Sequence, residues 1–128
     1  MPDTRIVILG GGFAGATLAA TLEKRLPRDT SITLVSKDNH ITYNPLLAEV
    51  VGASILPGHV VAPLRQMVKR TRVCMVPVTV IDLDSRELHY LGEGSGVIPY
   101  DHLVLACGVN ANLHLVPGME SYALPLKT

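Results

Sequence analysis

Cysteine, excess charge and long apolar runs are all scarce in this chain, and each shortage removes a class of function. The only two cysteines, Cys74 and Cys107, lie in separate segments with no Cys-x-x-Cys pair and no histidine spacing that would make a zinc site. Each sits inside an apolar stretch, Val73-Cys74-Met75-Val76 and Leu105-Ala106-Cys107, which is how small buried hydrophobes look. Eleven Lys and Arg balance eleven Asp and Glu, so no overall field draws the chain to nucleic acid or to an anionic membrane. No apolar run approaches the roughly 20 residues that span a bilayer. The opening Met1-Pro2-Asp3-Thr4-Arg5 has no secretory h-region, so the chain is expected to be soluble and cytoplasmic. Repeats and low-complexity tracts are missing too, and 48% apolar residues in 128 suffice for the core of one domain.

What is present begins with Arg5-Ile6-Val7-Ile8-Leu9, a continuous apolar run of the kind found in parallel strands buried on both faces. Gly10-Gly11-Gly12-Phe13-Ala14-Gly15 follows, and from Ala14 to Arg25 the apolar positions Ala16, Leu18, Ala19 and Leu22 recur at helical spacing until Pro27 stops them. Ser31-Ile32-Thr33-Leu34-Val35 is β-branched and alternating, which completes a unit of βαβ size with two parallel strands. Lys37-Asp38-Asn39-His40 reads as a polar turn. Pro45 is placed to open a short helix that Gly52 closes, and apolar periodicity predicts a further helix over His59–Lys69. Arg72 to Leu83, broken at Pro77, then the turn Asp84-Ser85-Arg86 and Glu87-Leu88-His89-Tyr90, predict a small antiparallel meander. A loop at Gly92-Glu93-Gly94-Ser95-Gly96 leads to a last buried strand, Leu103-Val104-Leu105-Ala106, closed by Gly108. The fold class expected is therefore α/β, a Rossmann-like parallel sheet with a βαβ glycine-rich turn and a small antiparallel β-meander.

Gly10, Gly12 and Gly15 satisfy G-x-G-x-x-G between a strand and a helix, the context in which that pattern points to dinucleotide binding. Gly10 permits the tight turn, Gly12 removes the side chain that would hold a phosphate off the backbone, and Gly15 lets helix and strand pack closely. The amino end of the helix carries about half a positive charge, enough to hold a pyrophosphate without a lysine. Because Gly-Lys-Ser/Thr is missing, a P-loop NTPase is disfavoured. An acidic partner for the adenosine ribose is expected at the end of the second strand, but Ser36 and Lys37 stand there. A hydroxyl beside a cation also suits the 2′-phosphate of NADP, so an NADPH site is the rival reading, with Lys37 as an ordinary solvated turn residue beside it. His40, His59, His89, His102 and His114 are scattered without partner spacing, and no catalytic or metal-ligating residue is assigned.

The ordered set Ile6–Gly15, Tyr43-Asn44-Pro45-Leu46-Leu47, Val61-Ala62-Pro63-Leu64-Arg65 and Pro99-Tyr100-Asp101-His102-Leu103-Val104-Leu105-Ala106-Cys107-Gly108 resembles the FAD-dependent pyridine nucleotide-disulfide oxidoreductases, most of all the type II NADH dehydrogenases, single-subunit NADH:quinone oxidoreductases. The second motif is a strand end that is Ala-Thr-Gly in the family and Ala106-Cys107-Gly108 here. The resemblance implies that Gly10, Gly12, Phe13, Ala14 and Gly15 hold the FAD pyrophosphate and that Ser36 and Lys37 lie by the ribose. It also implies that the Val78 backbone meets the adenine, that Ala106, Cys107 and Gly108 close the same pocket, and that Pro45 lies near the isoalloxazine. Disulfide reductases carry their redox cysteine pair in the segment between Ser36 and Arg72; none is there, which speaks against a thiol relay.

In that family an inserted NADH-binding domain and a second FAD segment with a membrane-associating C-terminal region follow. Residues 1–128 are therefore expected to be the N-terminal part of a truncated FAD/NAD(P)-binding domain, about a third of the usual enzyme, from a shortened gene product or an excised piece. The implied parent passes two electrons from NADH through FAD to a quinone, as a peripheral protein on the cytoplasmic face of the membrane. A sulfide:quinone oxidoreductase fragment and a non-catalytic NAD(P)-binding module are the alternatives. Isolated, the chain is expected to be inactive and to self-associate through uncovered apolar surface.

Overall fold

A computed structural model describes residues 4–92 and 94–126, so Met1-Pro2-Asp3, Glu93 of the expected loop, and Lys127-Thr128 lie outside the described residues. The chain forms two compact units, Met1–Ile41 with Ala62–Cys107, and Thr42–Val61 with Gly108–Thr128.

In the first unit, β1 (Thr4–Leu9), α1 (Phe13–Arg25) and β2 (Thr30–Ser36) realise the expected βαβ. With β5 (Arg72–Met75) and β9 (His102–Leu105) the strands make a four-stranded sheet in the order β5-β2-β1-β9, parallel throughout. The apolar run in β1 follows from burial on two sides. Ile8 packs with Ala16 and Ala19 of α1 and with Ile32, Leu34, Leu64 and Val68, whereas Val7 faces Val35, Leu88 and Tyr100.

That second layer comes from the antiparallel meander β6 (Val78–Asp82), β7 (Glu87–Leu91) and β8 (Ser95–Pro99). The Asp82 carboxylate accepts from the Asp84 and Ser85 amides at 2.9 Å each, which caps the turn between β6 and β7. Tyr100, which is buried, donates its hydroxyl to the Asp82 carbonyl at 3.1 Å. Next to Tyr100, Asp101 takes the Arg5 guanidinium in a two-pronged pair, Nε to Oδ2 at 3.0 Å and Nη2 to Oδ1 at 2.8 Å, and also accepts from the Arg5 amide at 2.7 Å. That pair joins the start of β1 to the start of β9.

Several elements differ from the sequence reading. Arg72–Met75, expected in the meander, is instead β5 of the parallel sheet, paired with β2. Strand β9, expected to be buried, is an outer strand with Leu105 exposed. The helix expected over His59–Lys69 is instead a 3₁₀ turn at Pro57–Val60, strand β4 (Val61–Pro63) and one turn of helix, α3 (Leu64–Met67). Pro63 is the cause: it lacks an amide and holds the preceding backbone extended. The periodicity itself was meaningful, since Val60, Leu64 and Val68 are all buried. Strand β8 occupies residues read as loop; Gly96 lies against the Tyr90 ring, leaving no room for a side chain, so its glycine serves the sheet and not a turn. Strand β3 (His40–Thr42), which pairs with β4, follows a turn read as longer.

In the second unit, a 3₁₀ turn at Asn44–Leu46 runs into α2 (Leu47–Val51), closed at Gly52 as expected. Residues 108–126 add only the short helix α4 (Met119–Tyr122) and leave Leu115, Val116, Tyr122, Leu124 and Leu126 exposed.

Candidate functional site

The strand order dictates where a ligand can sit. From β1 the chain moves one way, to β2 and then β5, and later returns to the other flank of β1 as β9. Strand order therefore reverses at β1, and in open parallel sheets the crevice at such a reversal, beyond the carboxyl ends of the strands, is the ligand site. The glycine turn leaves β1 at that crevice, and β9 ends beside it.

Each glycine there has a separate physical reason. Gly10 adopts φ +118°, and a side chain on it would run into the Ala106 carbonyl and the Cys107 amide. Its amide donates to the Val35 carbonyl at 2.8 Å, while Ala106 donates to the Leu9 carbonyl at 2.7 Å, so the turn is clamped from both neighbouring strands. A side chain on Gly15 would overlap the Gly10 carbonyl, which is the close approach of helix to strand anticipated from the motif. Gly11 was given no role by the sequence pattern, yet a side chain there would meet Ser36 Oγ and Leu64 Cδ1. Nothing short of the packed structure reveals that requirement.

Gly12 is different. Its backbone (φ −75°, ψ −168°) suits any residue, it is exposed, and nothing lies within 4 Å of where a side chain would begin. It is the N-cap of α1, whose first turn holds no acid and takes no side-chain cap. The amino end of this 13-residue helix therefore presents positive potential to a cradle that only the lack of a side chain keeps open.

Around this turn, Phe13 and Ala14 are exposed and Lys37 projects into solvent. Ser36 is only 9% exposed, and its side chain lies where a side chain on Gly11 would begin. Val78 opens β6 and packs on the Val7, Val35, Leu88 and Tyr100 cluster. Cys107 corrects an expectation: it is exposed, with Sγ 3.6 Å from the Leu9 carbonyl, because it follows the outer strand β9, which has a sheet neighbour only on the β1 side. Cys74 is half-buried. Gly108 continues the chain at φ +69°, and Pro45 lies in the first positions of the 3₁₀ turn of the second unit. Among the described residues no group of His, Cys, Asp and Glu could hold a metal, and no helix is long and apolar enough to cross a membrane.

A parallel sheet that reverses at a glycine turn feeding a helix defines a dinucleotide-binding α/β protein. Comparison with known proteins agrees: the family described as pyridine nucleotide-disulphide oxidoreductase matches residues 4–127, and the chain belongs to that family. It is 30% identical over 128 residues to the type II NADH:quinone oxidoreductase NdhA of Mycobacterium tuberculosis, covering 97% of this chain and 27% of that protein. Among solved structures, NDH2 from Plasmodium falciparum in complex with NADH superposes with a TM-score of 0.81 at 19% identity, over 94% of this chain and 25% of that one. The sulfide:quinone oxidoreductase of Aquifex aeolicus gives 0.81 at 24% identity, over 93% and 27%. These two likenesses are of fold. The chain spans about a quarter of the length of the relatives it matches.

Proposed function

We propose that this chain supplies the pyrophosphate- and adenosine-binding part of a flavin-dependent oxidoreductase whose whole reaction passes two electrons from NADH through FAD to a quinone. The observation that carries the reading is Gly12, a glycine with no internal reason to be one, at the amino end of α1 and beside a strand-order reversal. A pyrophosphate approaching the backbone is the reason it lacks. Sequence similarity to type II NADH:quinone oxidoreductases supports the choice of FAD and of quinone as acceptor.

Bound FAD would supply the hydride and electron chemistry. The chain's own residues position it: backbone groups from Gly10 to Gly15, with Phe13 and Ala14 in the first turn of α1, hold the pyrophosphate. Lys37, beside the buried Ser36, borders the ribose, and the Val78 backbone borders the adenine. Ala106, Cys107 and Gly108 close the strand end opposite. Pro45 enters the proposal by resemblance alone. No residue here need act as acid, base or nucleophile. The NADH and quinone sites, and any peripheral attachment to the cytoplasmic face of a membrane, are assigned to the remainder of an enzyme of the relatives' length.

One observation favours a second reading: an exposed lysine and no carboxylate at the end of β2 also suit the 2′-phosphate of NADPH. Titration of the purified chain with FAD and with NADPH, followed by flavin absorbance and by protein fluorescence, decides between them. Saturable FAD binding lost in Gly12→Ala supports the flavin reading; NADPH binding without FAD binding overturns it.

A further inference from the structure

Positive and negative charges balance over the chain but not over its surface. Arg65 on α3, Lys69, and Arg72 on β5 line an open hollow of about 550 Å³ whose wall also includes Thr71, Val68, Val73 and Cys74. None of its lining residues is acidic. The Glu23 carboxylate beside it is already engaged: it accepts from the amides of Lys69 (3.0 Å), Arg70 (3.0 Å) and Thr71 (3.1 Å) and from the Thr71 hydroxyl (3.1 Å). Arg70 is turned away, donating to the carbonyls of Pro27 at 2.8 Å and Leu26 at 3.3 Å. Arg65, Lys69 and Arg72 are thus left without an ion pair among the described residues.

The frame behind these cations is fixed. Glu23 pins the 69–71 backbone, Leu64 and Val68 anchor the α3 side in the core, and β5 is registered on β2 from Arg72 to Met75. Strand β5 is also an outer strand of the sheet, so its outward amides add donors along the same wall. Lys24 and Arg25, in the last turn of the helix that carries Glu23, add to the local positive field.

We propose that this hollow binds a phosphate-bearing anion, at a site separate from the glycine turn. Two guanidinium forks and an ammonium exceed what a single carboxylate can satisfy and match the several oxygens of a phosphate group. The glycine turn follows β1, whereas the hollow flanks β5, and β2 runs between them. The proposal does not depend on the flavin reading.

The test is a titration of the chain with sodium pyrophosphate followed by backbone amide NMR shifts, beside sedimentation with phosphatidylcholine vesicles containing or lacking phosphatidylglycerol. Saturable shifts are expected over residues 65–75, weakened roughly tenfold by Arg65→Gln or Arg72→Gln. Lys24→Gln, outside the hollow, and Gly12→Ala should leave this set in place; shifts at residues 10–15 belong to the glycine turn and vanish in Gly12→Ala. Arg65 is exposed on a single helical turn, so its variant should keep the parent melting temperature. Pyrophosphate binding identifies a soluble phosphate as the source, and phosphatidylglycerol-dependent sedimentation lost in Arg65→Gln identifies a lipid headgroup. Neither binding, or binding indifferent to both Arg65→Gln and Arg72→Gln, overturns the proposal.

Discussion

The carbonyl of Ala106 stands where a side chain on Gly10 would project. Two motifs from opposite ends of the sequence are therefore one packed object, and the glycine turn divides into residues the fold needs and a residue the ligand needs. Gly10→Ala should destabilise the chain by about 2 kcal/mol or more, since the φ of +118° and the clash act together. Gly12→Ala should change stability by no more than about 1 kcal/mol, the usual range for an exposed N-cap, yet abolish FAD binding. Thermal melts paired with FAD titrations check both; equal loss of stability in the two variants would contradict the division.

Glu23 is the acceptor for the whole 69–71 segment. Glu23→Ala should cost about 1–3 kcal/mol, because three amides and a hydroxyl lose a charged partner together. Glu23→Gln, with one acceptor oxygen left, should fall between that variant and the parent in urea denaturation.

Acid should weaken the chain through Glu23 and Asp101. Partial burial pushes the Glu23 carboxyl up, but the hydrogen bonds from Arg70, Lys69 and Thr71 together outweigh it and hold the group below its ordinary value. The Arg5 guanidinium, and then the Arg5 amide, hold Asp101 well below the carboxylate range. A depressed folded pKa gives stability that is complete above the unfolded value, about 4. It is lost as pH falls through the folded value. The melting-temperature advantage of the parent over Asp101→Asn should thus be constant near neutrality and shrink only below about pH 4. An advantage that instead declines between pH 8 and 6 would contradict this assignment.

Leu64 is fully buried and its Cδ1 lies under Gly11. Leu64→Ala should cost about 2–5 kcal/mol. Because the glycine turn rests on this side chain, FAD affinity should fall as well, measured at a temperature where the variant is still folded.

Exposed apolar side chains at Tyr122 (90%) and Leu124 (95%), with Leu115, Val116 and Leu126, predict self-association. Light scattering should give a mass that rises with concentration, and Leu124→Glu should lower it.

Much of this was readable in the residues, and the exceptions have physical causes. The two-sided burial of β1 writes itself as a continuous apolar run, and the glycine spacing has meaning once a strand precedes it and a helix follows. Short elements were harder. Val60, Leu64 and Val68 keep helical spacing across a proline that forbids the helix, and β8 is hidden because Gly96 imitates a loop while making room for Tyr90. The need for glycine at position 11 depends on Ser36 and Leu64, neighbours that only tertiary packing brings together. The cationic hollow was equally invisible, since a balanced charge total says nothing about where the charges gather.

The pairing of β1 with β9, Ile6 opposite His102 through Leu9 opposite Leu105, also has a consequence for the chain's birth. A ribosome delivers β1, the glycine turn and α1 first, but the strand that clamps Gly10 emerges only after the whole meander. Early βαβ structure must wait with one flank of β1 bare, so closure of this sheet on that side is a long-range event, of the kind that slows folding.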